Sequence, residues 1–159
     1  MRVLIDARYL QEGRVSGIGR HVEALARRIP SLDPSVELLL WTRPGAPENL
    51  TAPANVRALR VRAHPNGPWA LLPQGSSFDF DDAELFHSPH NILGPAVPIP
   101  AVVTVHDLMW LSQPKICDAR PFIGRARAMF FANGIRRAVE QARYTLTVSR
   151  SAADEIAAI

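Results

Sequence analysis

The distribution of hydrophobic residues along the chain predicts six β-strands. Short apolar or alternating runs are typical of strands, and runs without polar alternation suit strands that are buried on both faces. The runs comprise residues 3–5, 36–41, 56–61, 84–87, 101–105 and 145–148. The last two, AVVTV and TLTV, are apolar enough to predict burial on both faces, which indicates a parallel sheet.

Helical periodicity separates several of these strands. Apolar residues recur at intervals of three and four positions in 22–29 and again in 131–142, which predicts two helices. We expect Pro30 to end the first of them. Ser151 and Asp154 resemble a capping box and predict a third helix. Strands that alternate with helices indicate an α/β fold, namely a doubly wound, mostly parallel sheet with helices on both faces in a Rossmann-like arrangement.

Two proline-rich stretches interrupt this order and are predicted to be loops. One spans residues 43–55 and the other residues 64–84. The second is long for a plain connection and carries Trp69, Phe78 and Phe80. Two interpretations of it stand: a lid or ligand loop, or a surface excursion with a small apolar cluster of its own.

The composition indicates one globular domain. The chain has 159 residues, of which 47% are hydrophobic and 21% charged, and no apolar run reaches the roughly 18 residues that a membrane span needs. Charges near the start argue against a signal peptide, so we expect a cytoplasmic protein.

Cys117 is the only cysteine, which excludes an internal disulfide. Because the last predicted helix spans only about two turns, we expect the chain to be a piece of a longer protein.

A glycine-containing loop precedes the first predicted helix. In the segment VSGIG, residues 15–19, Gly17 and Gly19 let the backbone approach a ligand while the helix N-terminus offers free N–H groups to an anion. This arrangement predicts a phosphate-binding site. It is not the dinucleotide fingerprint, because Val22 stands where the third glycine would be.

Polar residues just after two predicted strands are expected to lie at one edge of the sheet. His87 and His90 follow the fourth strand, and His106 and Asp107 follow the fifth. The carboxyl ends of parallel strands line a crevice, so these are candidate ligand-binding residues. A metal site made of the four matches no zinc spacing, and no serine lies in a nucleophile elbow. The simplest function is an imidazole that donates a hydrogen bond to a polar ligand, with a structural histidine as the alternative for each.

Five segments, taken in order, form a recognisable pattern. They are the opening strand MRVLIDAR, the glycine loop SGIGRHV, then LFHSPHN, VVTVHDL and TLTVSRSAADEI. Together they resemble the amino-terminal domain of retaining GT-B glycosyltransferases of the group 1 or family 4 type. The resemblance covers nearly the whole chain, and its most specific parts are VVTVHDL and TVSRSAADEI together with the glycine loop.

The resemblance implies an enzyme of two facing domains. Residues 1–159 would be the amino-terminal, acceptor-side domain, and a carboxyl-terminal domain that binds the nucleotide sugar would be absent from this chain. Such enzymes transfer a hexose from a nucleotide sugar to a glycan or lipid-linked acceptor, including in cell-surface polysaccharide synthesis, and they generally need no metal or other cofactor. This chain alone is therefore expected to be inactive.

The resemblance also implies roles for individual residues. Gly17 and Gly19 would face the donor phosphates. His106 would be the catalytic residue beside the transferred sugar, where it helps to stabilise charge as the glycosidic bond breaks. Four further residues would line the acceptor side: Arg20, His87, Asn91 and Asp107.

Two other functions stay open: a non-catalytic ligand-binding α/β module and a dinucleotide-binding domain. Thr42 and Arg43 follow the second strand where an acidic residue would hold a ribose, which argues against the latter. The arginines match no nucleic-acid-binding motif, so no nucleic-acid partner is expected.

A peripheral contact with the inner face of the membrane is a further hypothesis. It rests on Phe130 and Phe131 and on four arginines of the same predicted helix: Arg125, Arg127, Arg136 and Arg137. We favour the alternative, a buried core helix with a solvated basic face.

Overall fold

The strands of the computed structural model, which describes residues 1–13 and 16–159, form one parallel sheet. Within these residues it has six strands: β1 (Arg2–Asp6), β2 (Glu37–Thr42), β3 (Val56–Arg60), β4 (Leu85–Ser88), β5 (Ala101–Val105) and β6 (Tyr144–Thr147). Their order is β3-β2-β1-β4-β5-β6, and every neighbouring pair is parallel. The predicted strands and the parallel sheet are confirmed.

Two long helices connect strands of this sheet. Helix α1 (Gly17–Leu32) joins β1 to β2, and helix α5 (Pro121–Gln141) lies between β5 and β6. The shorter helices are α2 (Gln74–Ser77), α3 (Met109–Ser112), α4 (Pro114–Cys117) and α6 (Arg150–Ala157), with 3₁₀ turns at Glu48–Thr51 and Pro68–Leu71. Within the described ranges, no helix is both long and apolar enough to cross a membrane.

Alternation of side chains along the strands builds a hydrophobic core on each face of the sheet. Val3 and Ile5 of β1 pack with Val22 of α1, whereas Leu4 faces the opposite side and belongs to the same core as Ile135 of α5. Successive strand residues point to opposite faces, so each central strand serves both cores. The doubly wound α/β fold with helices on both faces is thereby confirmed.

The start of α1 differs from the sequence prediction. Ser16 is the N-cap, and its Oγ accepts a hydrogen bond from the N–H of Gly19 at 3.0 Å. Gly17 and Gly19 therefore belong to the first helical turn rather than to a preceding loop. Val15, with which the predicted loop begins, lies outside the described residues.

Two predictions about other helix ends are wrong. Pro30 does not end α1, which continues to Leu32, because so near the helix end its missing N–H forfeits only one hydrogen bond. Helix α6 is capped by Ser149, whose Oγ accepts a hydrogen bond from the N–H of Ala152 at 3.2 Å, rather than by Ser151.

Strand β6 is not buried on both faces, contrary to the prediction. It is an edge strand, and its Tyr144 and Leu146 are exposed, whereas Val103 and Val105 of the inner strand β5 are fully buried. Apolar composition alone did not reveal that one strand would have a neighbour on only one side.

The long segment 64–84 packs onto the hydrophobic core that lies on the same side of the sheet as α5. Phe78 and Phe80 contact Trp41, with ring centroids 5.2 and 5.0 Å apart. Phe80 is buried, so these phenylalanines extend the main core rather than form a cluster of their own. Trp69 is exposed. A role of the segment as a lid stays a prediction.

Helix α5 contributes its phenylalanines to the core. Phe131 is buried and stacks on Trp110, with centroids 4.5 Å apart, and Phe130 packs against the same core. The aromatic part of the membrane hypothesis is therefore wrong for these two residues. Helix α5 is a core helix with an exposed basic face, and a membrane contact of that face stays a prediction.

Candidate active site

The predicted site residues converge at the carboxyl edge of the sheet. Strand β1 lies between β2 and β4, so successive connections leave it in opposite directions and form the crevice that doubly wound folds use for ligands. The end of β4 and the segment after β5 lie at this edge, and the contact of His21 with His106 places the beginning of α1 beside them.

Three histidines from three elements meet here, and we call them the histidine cluster: His21 of α1, His87 of β4 and His106 after β5. The ring of His21 is perpendicular to that of His106, with centroids 5.3 Å apart, and perpendicular to that of His87 at 6.5 Å. Nε2 of His87 lies 2.9 Å from Oγ1 of Thr104. His87 is inside β4 rather than after it, which buries its ring between strand and helix.

Burial keeps two of these rings uncharged. It lowers the pKa of His87 to about 4, with a further contribution from the nearby histidines. Burial, followed by the proximity of His106, also lowers the pKa of His21. At neutral pH both rings are therefore uncharged. An uncharged imidazole can donate one hydrogen bond to a polar ligand and accept another from it.

His106 is held by both its ring and its backbone. Nε2 lies 2.9 Å from the carbonyl oxygen of Pro89, and its backbone N–H donates to Oδ1 of Asn91 at 2.7 Å. A carbonyl can only accept, so Nε2 carries a proton and, in the neutral ring, Nδ1 is the hydrogen-bond acceptor. The ring is half-buried, fixed in orientation and accessible from the crevice edge.

Asn91 joins the two loops that surround His106. Its backbone has a positive φ of 67°, a conformation that asparagine adopts more readily than most residues. Besides accepting from His106, its amide Nδ2 donates to the carbonyl of Asp107 at 3.3 Å. The Asp107 carboxylate accepts from the N–H of Met109 at 3.0 Å and is otherwise exposed. Asn91 therefore fixes the backbone around His106, and Asp107 binds the N–H of Met109, the first residue of α3.

The first turn of α1 offers backbone donors to an anion. In an α-helix the N–H groups of the first residues have no helical acceptor, and here these belong to Gly17 and Ile18. A Cβ at Gly17 would meet nothing within 4 Å, whereas a Cβ at Gly19 would lie 3.0 Å from Oγ of Ser16. Gly17 is thus the glycine open to a ligand, and Gly19 makes room for the cap. Arg20 is exposed beside them.

A second polar group at this edge, which we call the ionic cluster, comprises Asp6, Arg8 and His90. The Asp6 carboxylate accepts hydrogen bonds from Nε and Nη2 of Arg8 at 2.7 and 2.6 Å and from Nε2 of His90 at 2.8 Å. Asp6 and Arg8 are only 1% and 3% exposed. The Arg8 guanidinium also lies 5.2 Å from the ring centroids of Trp41 and Phe78.

The ionic cluster is electrostatically closed. Burial by itself raises the pKa of Asp6, but attraction to Arg8 and hydrogen bonds from Arg8 and His90 outweigh it, so that the pKa lies far below its usual range. The sequence pattern predicted no role for Asp6 or Arg8. The available signal was an acid and an arginine two positions apart at the end of a buried strand.

The residues of the metal hypothesis are engaged elsewhere. His90 is bonded to Asp6, and His106 to the carbonyl of Pro89. In the part of the chain that the structure describes, no group of three histidine, cysteine or acidic side chains could hold a metal ion.

Comparison with known families identifies this architecture. Residues 15–159 match the family model Glycosyltransferase Family 4. No match was found among curated proteins. The match covers the chain from the start of the glycine segment to the last residue, and it includes the crevice residues that follow β4 and β5. The chain belongs to glycosyltransferase family 4.

Proposed function

We propose that this chain is the acceptor-side domain of a retaining hexosyltransferase of the GT-B type. The enzyme would move a hexose from a nucleotide sugar to a hydroxyl of a glycan or lipid-linked acceptor, in the cytoplasm and in the synthesis of cell-surface polysaccharide. A second domain, outside residues 1–159, would bind most of the nucleotide sugar. The observation that carries the proposal is a fixed imidazole, His106, at the same sheet edge as an open helix N-terminus.

The N-terminus of α1 suits the donor phosphates. The N–H groups of Gly17 and Ile18 and the positive end of the helix dipole favour negative charge. When the glycosidic bond breaks, the phosphate oxygen keeps the electron pair, so negative charge grows where these donors would lie. Such stabilisation by backbone groups requires no metal ion.

His106 suits the transferred sugar. As the nucleotide departs, positive charge develops at the anomeric carbon and ring oxygen of the hexose. A neutral ring that donates through Nε2 to Pro89 keeps an electron pair on Nδ1, and a fixed lone pair near this charge stabilises the transition state more than the ground state.

The remaining predicted residues would form the acceptor side. Arg20 and Asp107 are exposed at the crevice and can contact hydroxyl or anionic groups. His87 is buried, and the Asn91 amide is engaged with the backbone after β5, so these two would shape the acceptor site chiefly through the residues they hold.

A dinucleotide-binding domain fits the structure less well. Strand β2 ends at Thr42, whose side chain is buried, and no carboxylate stands there to bind a ribose.

The proposal is tested by steady-state kinetics on the enzyme that contains this chain and its donor domain. Release of nucleoside diphosphate from UDP-, GDP- and ADP-hexoses identifies the donor. We expect His106→Ala to lower kcat about a hundredfold, equivalent to roughly 3 kcal/mol, while donor affinity changes little. As a matched variant of the acceptor side, Arg20→Gln should raise the acceptor KM more than it lowers kcat.

Parent-level turnover by the His106→Ala enzyme would exclude His106 from catalysis. Absence of donor turnover in the parent enzyme, with every sugar nucleotide and acceptor class tried, would favour the non-catalytic module.

A further inference from the structure

The net positive charge of the chain is concentrated in one segment. Residues 109–137, which include α3, α4 and most of α5, carry six cationic side chains and a single carboxylate. The rest of the chain has twelve cationic and fourteen acidic side chains, and is therefore net negative. The segment is the source of the whole net charge of +3.

Large apolar side chains are exposed on the same segment. Ile116 of α4 is 69% exposed, and Phe122 and Met129 of α5 are 89% and 61% exposed. Phe122 and Met129 are seven positions apart, about two helical turns, and so lie on one side of α5. The opposite side of the helix, with Phe131 and Ile135, is buried in the core.

Cationic side chains surround these apolar residues and are available for a partner. The Asp118 carboxylate is taken up by Arg120 and Arg127, at 2.6 and 2.9 Å. Lys115, Arg125 and Arg136 are exposed, and none of them makes an ion pair with a residue that the structure describes. Since Asp118 is the segment's only acid, no local carboxylate is left for them.

A cavity of about 630 Å³ opens in the middle of this surface. It lies between α4 and the first two turns of α5, and its polar lining consists of Lys115, Arg120, Arg125 and Asp118, whose carboxylate is paired with Arg120 and Arg127. This volume lies within the range of small-molecule binding sites and accommodates a phosphate headgroup between cationic side chains.

We propose that this surface, the basic face of residues 109–137, docks onto an anionic lipid bilayer. Exposed phenylalanine, isoleucine and methionine side chains enter the boundary between headgroups and acyl chains, while arginine and lysine bind the lipid phosphates. Charge complementarity favours an anionic bilayer over a second copy of the chain. The surface is cationic, and the same surface of a second copy would present the same cations to it.

Docking would place the membrane beside the crevice. Helix α3 begins two residues after Asp107, so the basic face adjoins the segment that carries His106. On the proposed function, this position favours a lipid-linked acceptor over a soluble glycan. The docking itself does not depend on the reaction.

Vesicle co-sedimentation with this chain tests the proposal. Binding is expected to vesicles that contain phosphatidylglycerol, not to phosphatidylcholine alone, and should fall as salt concentration rises. A variant with Lys115→Gln, Arg125→Gln and Arg136→Gln should bind on the order of a hundredfold more weakly, because each cation near an anionic surface contributes about 1 kcal/mol. A second variant, Phe122→Ser with Met129→Ser, should also bind more weakly, while its remaining binding stays salt-sensitive.

The matched control is Arg28→Gln with Leu32→Ser. These residues also pair an exposed cation with an exposed apolar side chain, but they lie at the far end of α1, at the opposite edge of the sheet. The control should bind like the parent, and thermal melts should show that all variants fold. Equal binding to both vesicle types, or parent-like binding of the triple variant, would overturn the proposal. So would self-association that is abolished by the Phe122 and Met129 changes, because the surface would then join two copies of the chain.

Discussion

The ionic cluster and the histidine cluster lie at the same edge of the sheet, yet they differ in how their polar atoms are bonded. The Asp6 carboxylate accepts hydrogen bonds from three separate groups of Arg8 and His90 and is almost fully buried. In the histidine cluster the rings meet edge to face, and buried Nε2 of His21 makes no hydrogen bond within the described residues. Nη1 of Arg8 and Nδ1 of His90 also make no hydrogen bond within the described residues, so the two clusters differ in charge rather than in the number of unbonded atoms. The buried ion pair between Asp6 and Arg8 holds the chain together, whereas the uncharged rings of His21 and His87 can still bind a ligand.

Removal of the Asp6 carboxylate should have the largest effect on stability, because this group pairs with both other members of the ionic cluster. Asp6→Ala leaves the Arg8 guanidinium buried without its partner, and we expect a loss of about 3–5 kcal/mol in the free energy of unfolding, measured by urea denaturation. The matched control is Glu23→Ala, which removes an exposed i,i+4 ion pair with Arg27 and should cost less than about 0.5 kcal/mol. Similar losses in the two variants would show that the ionic cluster does not hold the fold.

The free energy of unfolding should depend on pH in a way that shows whether the histidine cluster is uncharged in the fold. The pKa of His87 is about 4 in the fold against 6.5 without it, so below pH 6.5 the unfolded chain binds a proton that the folded chain does not. Stability is therefore expected to fall by about 3 kcal/mol as the pH drops from 6.5 to 4. The low pKa of Asp6 adds a further loss only at lower pH, near the usual carboxyl range.

His87→Gln separates this contribution from the others. Urea denaturation of parent and variant across the same pH range should give a distinctly flatter profile for the variant, with a smaller slope left from His21. Parallel profiles would mean that His87 is protonated in the fold and that the cluster is charged.

Periodicity was sufficient to predict the architecture. Apolar runs mark strands and helical spacing marks helices, so all six strands and the two long helices follow from local pattern. Sheet order depends on which strands find partners, and therefore the exposed position of β6 did not follow from TLTV. The cap at Ser149 rather than Ser151 shows the same limit, because two serines near one helix start offer equivalent local signals.

The candidate site was predictable only in part. The motif around His106 located the residue, but its bond to Pro89 depends on how the loops after β4 and β5 meet. The ionic cluster was missed because its two ends, Asp6 and His90, are 84 positions apart and nothing local links them. The exposed Phe122 was missed in favour of Phe130 and Phe131, because aromatic content does not tell which side of a helix is buried.

The central claim is that the ionic cluster stabilises the fold and the histidine cluster binds the substrate. The most direct test is the free energy of unfolding of His106→Ala in this chain, measured in urea at neutral pH. His106 is half-buried and makes one ring hydrogen bond, so the predicted loss is no more than about 1.5 kcal/mol, well below that of Asp6→Ala. A loss as large as that of Asp6→Ala would contradict the account, because His106 would then be a structural residue like the members of the ionic cluster.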